Sequence, residues 1–439
     1  MSDFQTVAAI DIGTTKIVVV AGTKDETGRP KILGVGKAPS KGVVRGAVQN
    51  VGEVATAIKN AVTKCKEASG ISFKNVFVGI AGQNIRTLVT SHSMSIKNDM
   101  ITQDDINALT QEVYNLNKEP GEEIIHVIPQ SYSVDNQSIG LHPVGCTGRR
   151  LDGNFYVIIG QANAIQKIKQ AIYMAGLNVV KMVLQPIASG DAVLTNDDKE
   201  VGALVADIGG GTTDIAIYHD NVLRSTAVIP FGGSSITSDI KTACQLLQRQ
   251  AEQLKEQYAS ALAEAGYSTK VVTVKGSGRS DREISLMDLS SITNARLGEI
   301  IAGIAYEIEK SGYKDNISEI VVTGGCTKLK SILQLMKFTL NHEVRVGRPR
   351  GIDIENFDDM SGVEYSTAAG LLMKGIEYME TYNKIQQSAT STATSAVGSK
   401  DENSEKKQST KEAPKKEGLM SKFKKMLNDF FSETDDSKI

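Results

Sequence analysis

Residues 203–218 read ALVADIGGGTTDIAIY: a β-branched run that stops at Gly209-Gly210-Gly211, between Asp207 and Asp214, and then resumes. The local reading is strand, tight glycine turn, strand, because glycine supplies the backbone freedom that so abrupt a reversal needs. Residues 6–20, TVAAIDIGTTKIVVV, carry the same order of Asp-Ile-Gly, small residues, Thr-Thr and β-branched residues about 196 positions earlier. A unit that recurs at this distance is a duplicated supersecondary element. The fold expected is therefore α/β, built from two related halves.

Working outward, KIVVVAG (16–22) and PKILGVGKA (30–38) extend the first copy into a meander. Val51, Val54, Ala55, Ile58, Ala61, Val62 and Cys65 then recur at three and four, one face of a helix. KNVFVGIAG (74–82) is the next strand. A different texture begins near Gln83: a helix opened by a capping box from Thr102 to Asp105, followed by the strand-rich runs IIHVIPQSYSVD (124–135) and FYVIIGQ (155–161). In the second copy, NVLRSTAVIPFGG (221–233) adds a third strand before a long helix from about Ser234. EIVVTGGCTKLKSILQLM (319–336) is strand then helix, and STAAGLLMKGIEYM (366–379) is a closing helix. From Lys384 to Gly418 the composition falls to Ser, Thr, Ala, Gln, Lys and Glu. Such a segment buries too little apolar area to offset its ordering entropy, so a flexible linker is expected.

The whole-chain arithmetic excludes several classes. With 49 Lys and Arg against 51 Asp and Glu in 439 residues, there is no bulk attraction to nucleic acid. No run approaches the ~18 apolar residues of a membrane-spanning helix. Cys65, Cys146, Cys244 and Cys326 form no C-x-x-C pair, which argues against zinc ribbons and disulfide frameworks. The N-terminal MSDFQTVAAIDIG lacks a basic segment before its apolar run, so a secretory signal is not expected and a reducing cytoplasm is.

Successive N–H groups in a glycine turn form a nest that holds anions. In the second turn Gly209, Gly210 and Gly211 give close access, Thr212 and Thr213 add hydroxyls, and Asp207 and Asp214 flank the bend. Carboxylates beside a phosphate cradle need a cation between them, and Mg²⁺, which keeps most of its waters, suits one or two carboxylates. Asp11 and Asp207 are the expected metal positions, through water. Asp11, Gly13, Thr14, Thr15 and Lys16 form the other half, Lys16 adding a point charge. No G-x-x-x-x-G-K-[ST] stretch is present, so a P-loop is excluded.

Two such turns, with the later strand end VVTGGC, resemble the superfamily of actin, the heat-shock ATPases and the sugar kinases over essentially 7–378. That resemblance implies two duplicated actin-like (RNase H-like) domains around a nucleotide cleft, each with an inserted subdomain, closing on ATP. It implies that Gly324 and Gly325 approach the adenosine, that Glu252 and Lys255 flank the ribose and adenine, and that Gln185, with Asp11 and Asp207, positions the attacking water. Cys326 departs from the pattern, standing where a further glycine is usual.

The phrases VIPQSYSVD, IGLHPVG, GRRLDGNFYVIIG, VFVGIAGQNI, IPFGGSSIT and YSTAAGLL are similar to those of the FtsA family of bacterial cell-division proteins. The boundaries expected on that resemblance are 1–82 with 162–199 for the first domain and 83–161 for its insertion. The second domain is expected at 200–237 with 311–383, and its insertion at 238–310. The second insertion is implied to receive the C-terminal peptide of FtsZ near Arg296 and Glu299. Those two residues read equally well as an i,i+3 salt bridge on a helix.

The tail is legible without a family. Leu419, Met420, Phe423, Met426, Leu427, Phe430 and Phe431 cover an arc of roughly 140° on a helix, with Lys422, Lys424 and Lys425 on the remainder. A helix over 419–431 is about 20 Å long, too short to span a bilayer, and suits lying in its surface. A helix docking in a protein groove is the alternative, and the acids in SETDDSKI after it weaken attraction to anionic lipid. Together with the family resemblance, this implies an ATP-binding protein, with at most slow hydrolysis, that is expected to form filaments on the cytoplasmic face of the inner membrane at the division site, to tether FtsZ there and to recruit later division proteins. A sugar kinase gains nothing from such a tail, a heat-shock chaperone needs a large C-terminal domain, and an actin-like pilus-assembly component is not expected to carry this helix.

Overall fold

In a computed structural model, which describes residues 6–82, 85–276 and 280–395, the first half opens with β1 (Val7–Ile12), β2 (Lys16–Lys24) and β3 (Pro30–Pro39). A ribbon of β4 (Val43–Val44) and β5 (Ala47–Val48) leads to α1 (Val51–Ser69) and β6 (Asn75–Ile80). Then come β7 (Ile85–Ser95), α2 (Gln103–Tyr114), β8 (Glu122–Val134), β9 (Gln137–Gly140) and β10 (Arg150–Gln161), before α3 (Ala162–Met174), β11 (Asn178–Leu184), α4 (Gln185–Val193) and α5 (Asn196–Val201). The second half holds β12 (Ala203–Ile208), β13 (Thr213–His219), β14 (Val222–Ile229), α6 (Gly233–Cys244), α7 (Gln248–Tyr258), β15 (Val271–Val274), β16 (Arg282–Ser285), α8 (Leu286–Ser311), β17 (Glu319–Thr323), α9 (Ile332–Leu340), β18 (Glu343–Val346) and α10 (Ser366–Ser395).

The duplication extends to topology. The first sheet runs β11-β6-β1-β2-β3 and the second runs β18-β17-β12-β13-β14, each with three strands joined antiparallel and two added parallel. Even the turn hydrogen bonds correspond: Gly13 N–H donates to the Lys16 carbonyl at 3.0 Å, and Gly209 N–H to that of Thr212 at 2.9 Å. Side chains alternate across β1, sending Ala8, Ile10 and Ile12 to one core and Val7 and Ala9 to another, so the sheet is buried on both faces.

The segment between β6 and α3 folds as a separate four-stranded sheet, β7-β10-β8-β9, with α2 packed on it through Leu109 and Val113. The capping box expected at α2 is present: Thr102 N–H donates to Asp105 Oδ2 at 2.9 Å and Asp105 N–H to Thr102 Oγ1 at 3.3 Å. This insertion is tied to the second half by Gln130 Nε2, which donates to the Leu223 carbonyl at 2.9 Å, and by the Thr226 N–H, which donates to the Tyr156 hydroxyl at 2.9 Å.

Two helices cross between the halves. Ala188 of α4 packs in the first half's core while Ala192 and Val193 pack in the second's. In α10, Ala368, Leu371 and Leu372 face the first sheet and Ala369 the second. The two helices touch so closely that a Cβ at Gly370 would lie 1.8 Å from the Ala188 carbonyl oxygen.

Four sequence expectations are corrected by this arrangement. The stretch 311–383 does not belong wholly to the second half: from Ile352 onward, Met360, Tyr365, Leu371 and Ile376 bury against the first sheet. Helix α10 runs on past Lys384 to Ser395, since no glycine or proline interrupts 376–395. The long helix from Ser234 stops at Cys244, where Gln245 takes a left-handed φ of 53°. Within 238–310, Leu297, Ile300 and Ile304 of α8 share one core with β12 and β13, so α8 is not separate from the second sheet.

Candidate nucleotide-binding site

Both glycine turns open into one cavity of about 580 Å³, lined by Asp11, Gly13, Thr14, Thr15, Lys16, Gln185, Asp207, the three glycines 209–211, Thr212 and Asp214, and on its far side by Glu252, Lys255, Gly324, Gly325 and Cys326. The turns meet across it. A Cβ on Gly210 would fall 2.5 Å from Thr15 Cγ2, and one on Gly211 would fall 2.3 Å from Thr14 Oγ1. The glycines of one half are therefore required by the threonines of the other.

Thr213 does not join them. It opens β13 paired with Ile208 and Ile229, its side chain is buried, and its hydroxyl donates to the Phe231 carbonyl at 2.9 Å. Strand alternation sends Thr212 toward the cavity and Thr213 into the sheet. Of the two threonines expected here, Thr212 alone lines the site.

Three carboxylates line the turns, Asp11 and Asp214 buried and Asp207 half-buried. Asp11 ends β1 and accepts from Gln185 Nε2 at 2.9 Å. Asp207 ends β12, where its Oδ2 accepts from Ser189 Oγ at 2.6 Å and Thr367 Oγ1 at 2.9 Å. Asp214 accepts from Thr212 Oγ1 at 3.0 Å, while its other oxygen is buried without a partner. Burial, then the charge of Asp207, pushes Asp11 up to about 7 against the pull of Lys16. Burial and again Asp207 push Asp214 up to about 8. Asp207 is raised by burial, with the hydroxyls of Ser189 and Thr367 opposing. Burial also lowers Lys16 to about 8, against the charges of Glu364 and Asp11.

Such a set favours a cation. Among the described residues no group of three or more His, Cys, Asp or Glu has the geometry of a direct metal cage. A hydrated Mg²⁺, taking waters rather than several protein ligands, fits the orphaned Asp214 oxygen and the mutually repelling carboxylates.

Beside Asp207, Gly324 adopts φ 88°, and a Cβ there would lie 2.4 Å from Asp207 Oδ1, so only glycine passes between the loop and that carboxylate. The Lys255 ammonium donates to the Gly233 carbonyl at 3.2 Å, Thr237 Oγ1 at 3.0 Å and Glu252 Oε1 at 2.8 Å. Its protons are engaged internally, so it anchors α7 to the start of α6 and holds Glu252 at the wall. Burial pushes the Cys326 thiol up to about 11, the behaviour of a packed, unreactive cysteine. Ser189, Thr367, Lys328 and Glu364 are site residues that sequence reading missed; single hydroxyls and charges far apart in the chain carry no spacing signal.

Arg296 is engaged within the protein. It donates to both oxygens of Asp239 at 2.6 and 3.0 Å and to Glu299 at 2.5 Å, with its guanidinium 5.5 Å from the Phe231 ring centroid. Glu299 remains well exposed. The tail residues Leu419, Met420, Lys422, Phe423, Lys425, Met426, Leu427, Phe430 and Phe431 and most of the expected linker lie outside the described residues. Among the described residues no helix is long and apolar enough to cross a membrane.

Two sheets of one topology, each delivering an Asp-Ile-Gly turn to a shared cleft, define the actin-like ATPase fold. Two solved structures share it: a PilM-PilN type IV pilus biogenesis complex (TM-score 0.62, 16% identity, 84% of this chain and 98% of that one) and MreB5 of Spiroplasma citri bound to ADP (TM-score 0.51, 13% identity, 86% and 98%). The family model for cell division protein FtsA matches residues 204–370, and that for the SHS2 domain inserted in FtsA matches 82–159. Cell division protein FtsA of Pseudomonas aeruginosa is 34% identical over 373 residues, covering 84% of this chain and 89% of that protein. The chain belongs to the FtsA family of cell-division proteins.

Proposed function

We propose that this chain binds ATP with Mg²⁺ between its two halves, assembles head to tail on the inner membrane at the division site, and ties FtsZ filaments to that surface. The observation that carries the reading is the convergence of the two glycine turns, from opposite halves, on one cavity ringed by Asp11, Asp207 and Asp214. The backbone N–H groups of the turns cradle the phosphates, and Lys16 adds a positive charge. Bound Mg²⁺ supplies charge neutralisation between phosphate and carboxylate. Gln185 commits its amide N–H₂ to Asp11, which leaves its carbonyl oxygen to orient a water. With Gln185 as the orienting group, at most slow hydrolysis is expected.

ATP that contacts both turns favours the closed halves, and closure supports self-assembly. Residues 419–431 then act together along a filament: a single short helix binds lipid weakly, while several on one polymer gain avidity of about 10²-fold or more. The segment 238–310, with Glu299 exposed, receives the FtsZ C-terminal peptide, and later division proteins follow. Calorimetric titration of ATP into wild type and Gly210→Asp tests the nucleotide step. Binding to the wild type, lost in the variant, is expected, and equal affinity contradicts the assignment of the cleft.

A further inference from the structure

Lys16 leaves the first glycine turn at the start of β2, and its ammonium lies 3.8 Å from the centroid of the Tyr365 ring. Lys37, on the adjacent strand β3, approaches the same ring at 4.3 Å and pairs with Asp359 at 3.0 Å. The neighbouring Glu364 accepts from Lys328 at 2.5 Å and lines the cleft with Lys16, its second oxygen buried without a partner. The segment that carries Glu364 and Tyr365 is fastened to the second half: the Gly324 N–H and the Thr323 hydroxyl donate to the Val363 carbonyl at 3.1 and 3.0 Å. A lysine of the first half thus rests on a ring packed against the first sheet, and beside a carboxylate, both carried by a segment whose backbone is hydrogen-bonded to the Gly-Gly loop of the other half.

The face of an aromatic ring attracts a cation most strongly where water is displaced. Tyr365 is buried, and the charge of Glu364 also favours the ammonium form of Lys16. We propose that Tyr365 and Glu364 are positioning residues for Lys16, holding its ammonium at the rim of the cleft where the phosphates of a nucleoside polyphosphate enter. Without them a flexible four-carbon side chain has to be ordered by the nucleotide itself, at the expense of affinity. The inference rests on the cleft being a nucleotide site.

The test is ATP titration into the full chain for wild type, Lys16→Ala, Tyr365→Phe, Tyr365→Leu, Glu364→Gln and the double variant Lys16→Ala/Tyr365→Leu. Tyr365→Phe keeps the ring face and should bind as wild type, while Tyr365→Leu and Glu364→Gln should each weaken ATP by up to about tenfold. In the Lys16→Ala background, Tyr365→Leu should cost nothing further, since coupled residues are non-additive. A packing role alone also separates Phe from Leu, but it adds the Tyr365→Leu loss undiminished to that from Lys16→Ala, and that result overturns the proposal. So does wild-type affinity in both Tyr365→Leu and Glu364→Gln. A wild-type protein that binds no ATP overturns the cleft reading itself.

Discussion

Replacing Gly210 with Asp separates the chemistry of the cleft from the stability of the fold. Gly210 sits in the second glycine turn with φ outside the left-handed region, so a side chain brings no backbone strain. Its Cβ would arrive 2.5 Å from Thr15 Cγ2, a contact that exists only because the two halves close on each other. The new carboxylate would join Asp11, Asp207 and Asp214 where a polyphosphate is proposed to lie. Two unit charges about 4 Å apart at an effective dielectric of about 20 interact by about 4 kcal/mol, roughly a 10³-fold loss of affinity. Gly210→Ala isolates the steric part and should lose far less. The assay is calorimetric ATP titration at fixed Mg²⁺, with thermal melting of the nucleotide-free proteins beside it. Wild-type ATP affinity in Gly210→Asp, with an unchanged melting profile, would mean that the polyphosphate does not lie against this turn.

Further outcomes are expected from other parts of the molecule. Gly370→Ala drives a Cβ to 1.8 Å from the Ala188 carbonyl oxygen, so urea unfolding should show a loss of at least about 1–3 kcal/mol, or no folded protein. His126 accepts from the Leu184 N–H at 3.0 Å, and burial lowers it from 6.5 to about 3. The unfolded chain therefore takes up a proton that the folded one refuses: this stability is complete above about pH 6.5 and declines as pH falls toward 3, by up to about 1.4 kcal/mol per pH unit. Urea melts at descending pH should show that slope, and His126→Gln should flatten it. Removing Mg²⁺ with EDTA should weaken ATP binding at least about tenfold by leaving the three carboxylates facing the phosphates, and a calorimetric titration that shows no change would exclude the cation's proposed role.

The duplication was legible because it is written in residue types that few other structures demand: Asp-Ile-Gly with Thr-Thr between β-branched runs. The helix at α1 and the capping box at α2 were legible because they follow from local spacing. The allegiance of α10 was not. Periodicity marks Leu371 and Leu372 as buried, but it does not say which of two similar sheets will cover them. Thr213 shows the same limit on a smaller scale, since the Thr-Thr pair looks symmetrical until strand alternation separates one hydroxyl from the other. The hydroxyls of Ser189 and Thr367, which meet at Asp207, lie far apart in sequence and become a site only through the crossing of α4 and α10.

If residues 419–431 carry FtsZ to a membrane as proposed, flotation of liposomes mixed with FtsZ filaments and ATP reports it. With the wild-type chain, FtsZ should rise with the lipid. With Phe423→Glu/Phe430→Glu, which places two charges on the apolar face of the tail, FtsZ should stay behind. Flotation of FtsZ by the double variant as efficient as by the wild type, or none with the wild type, would contradict the account.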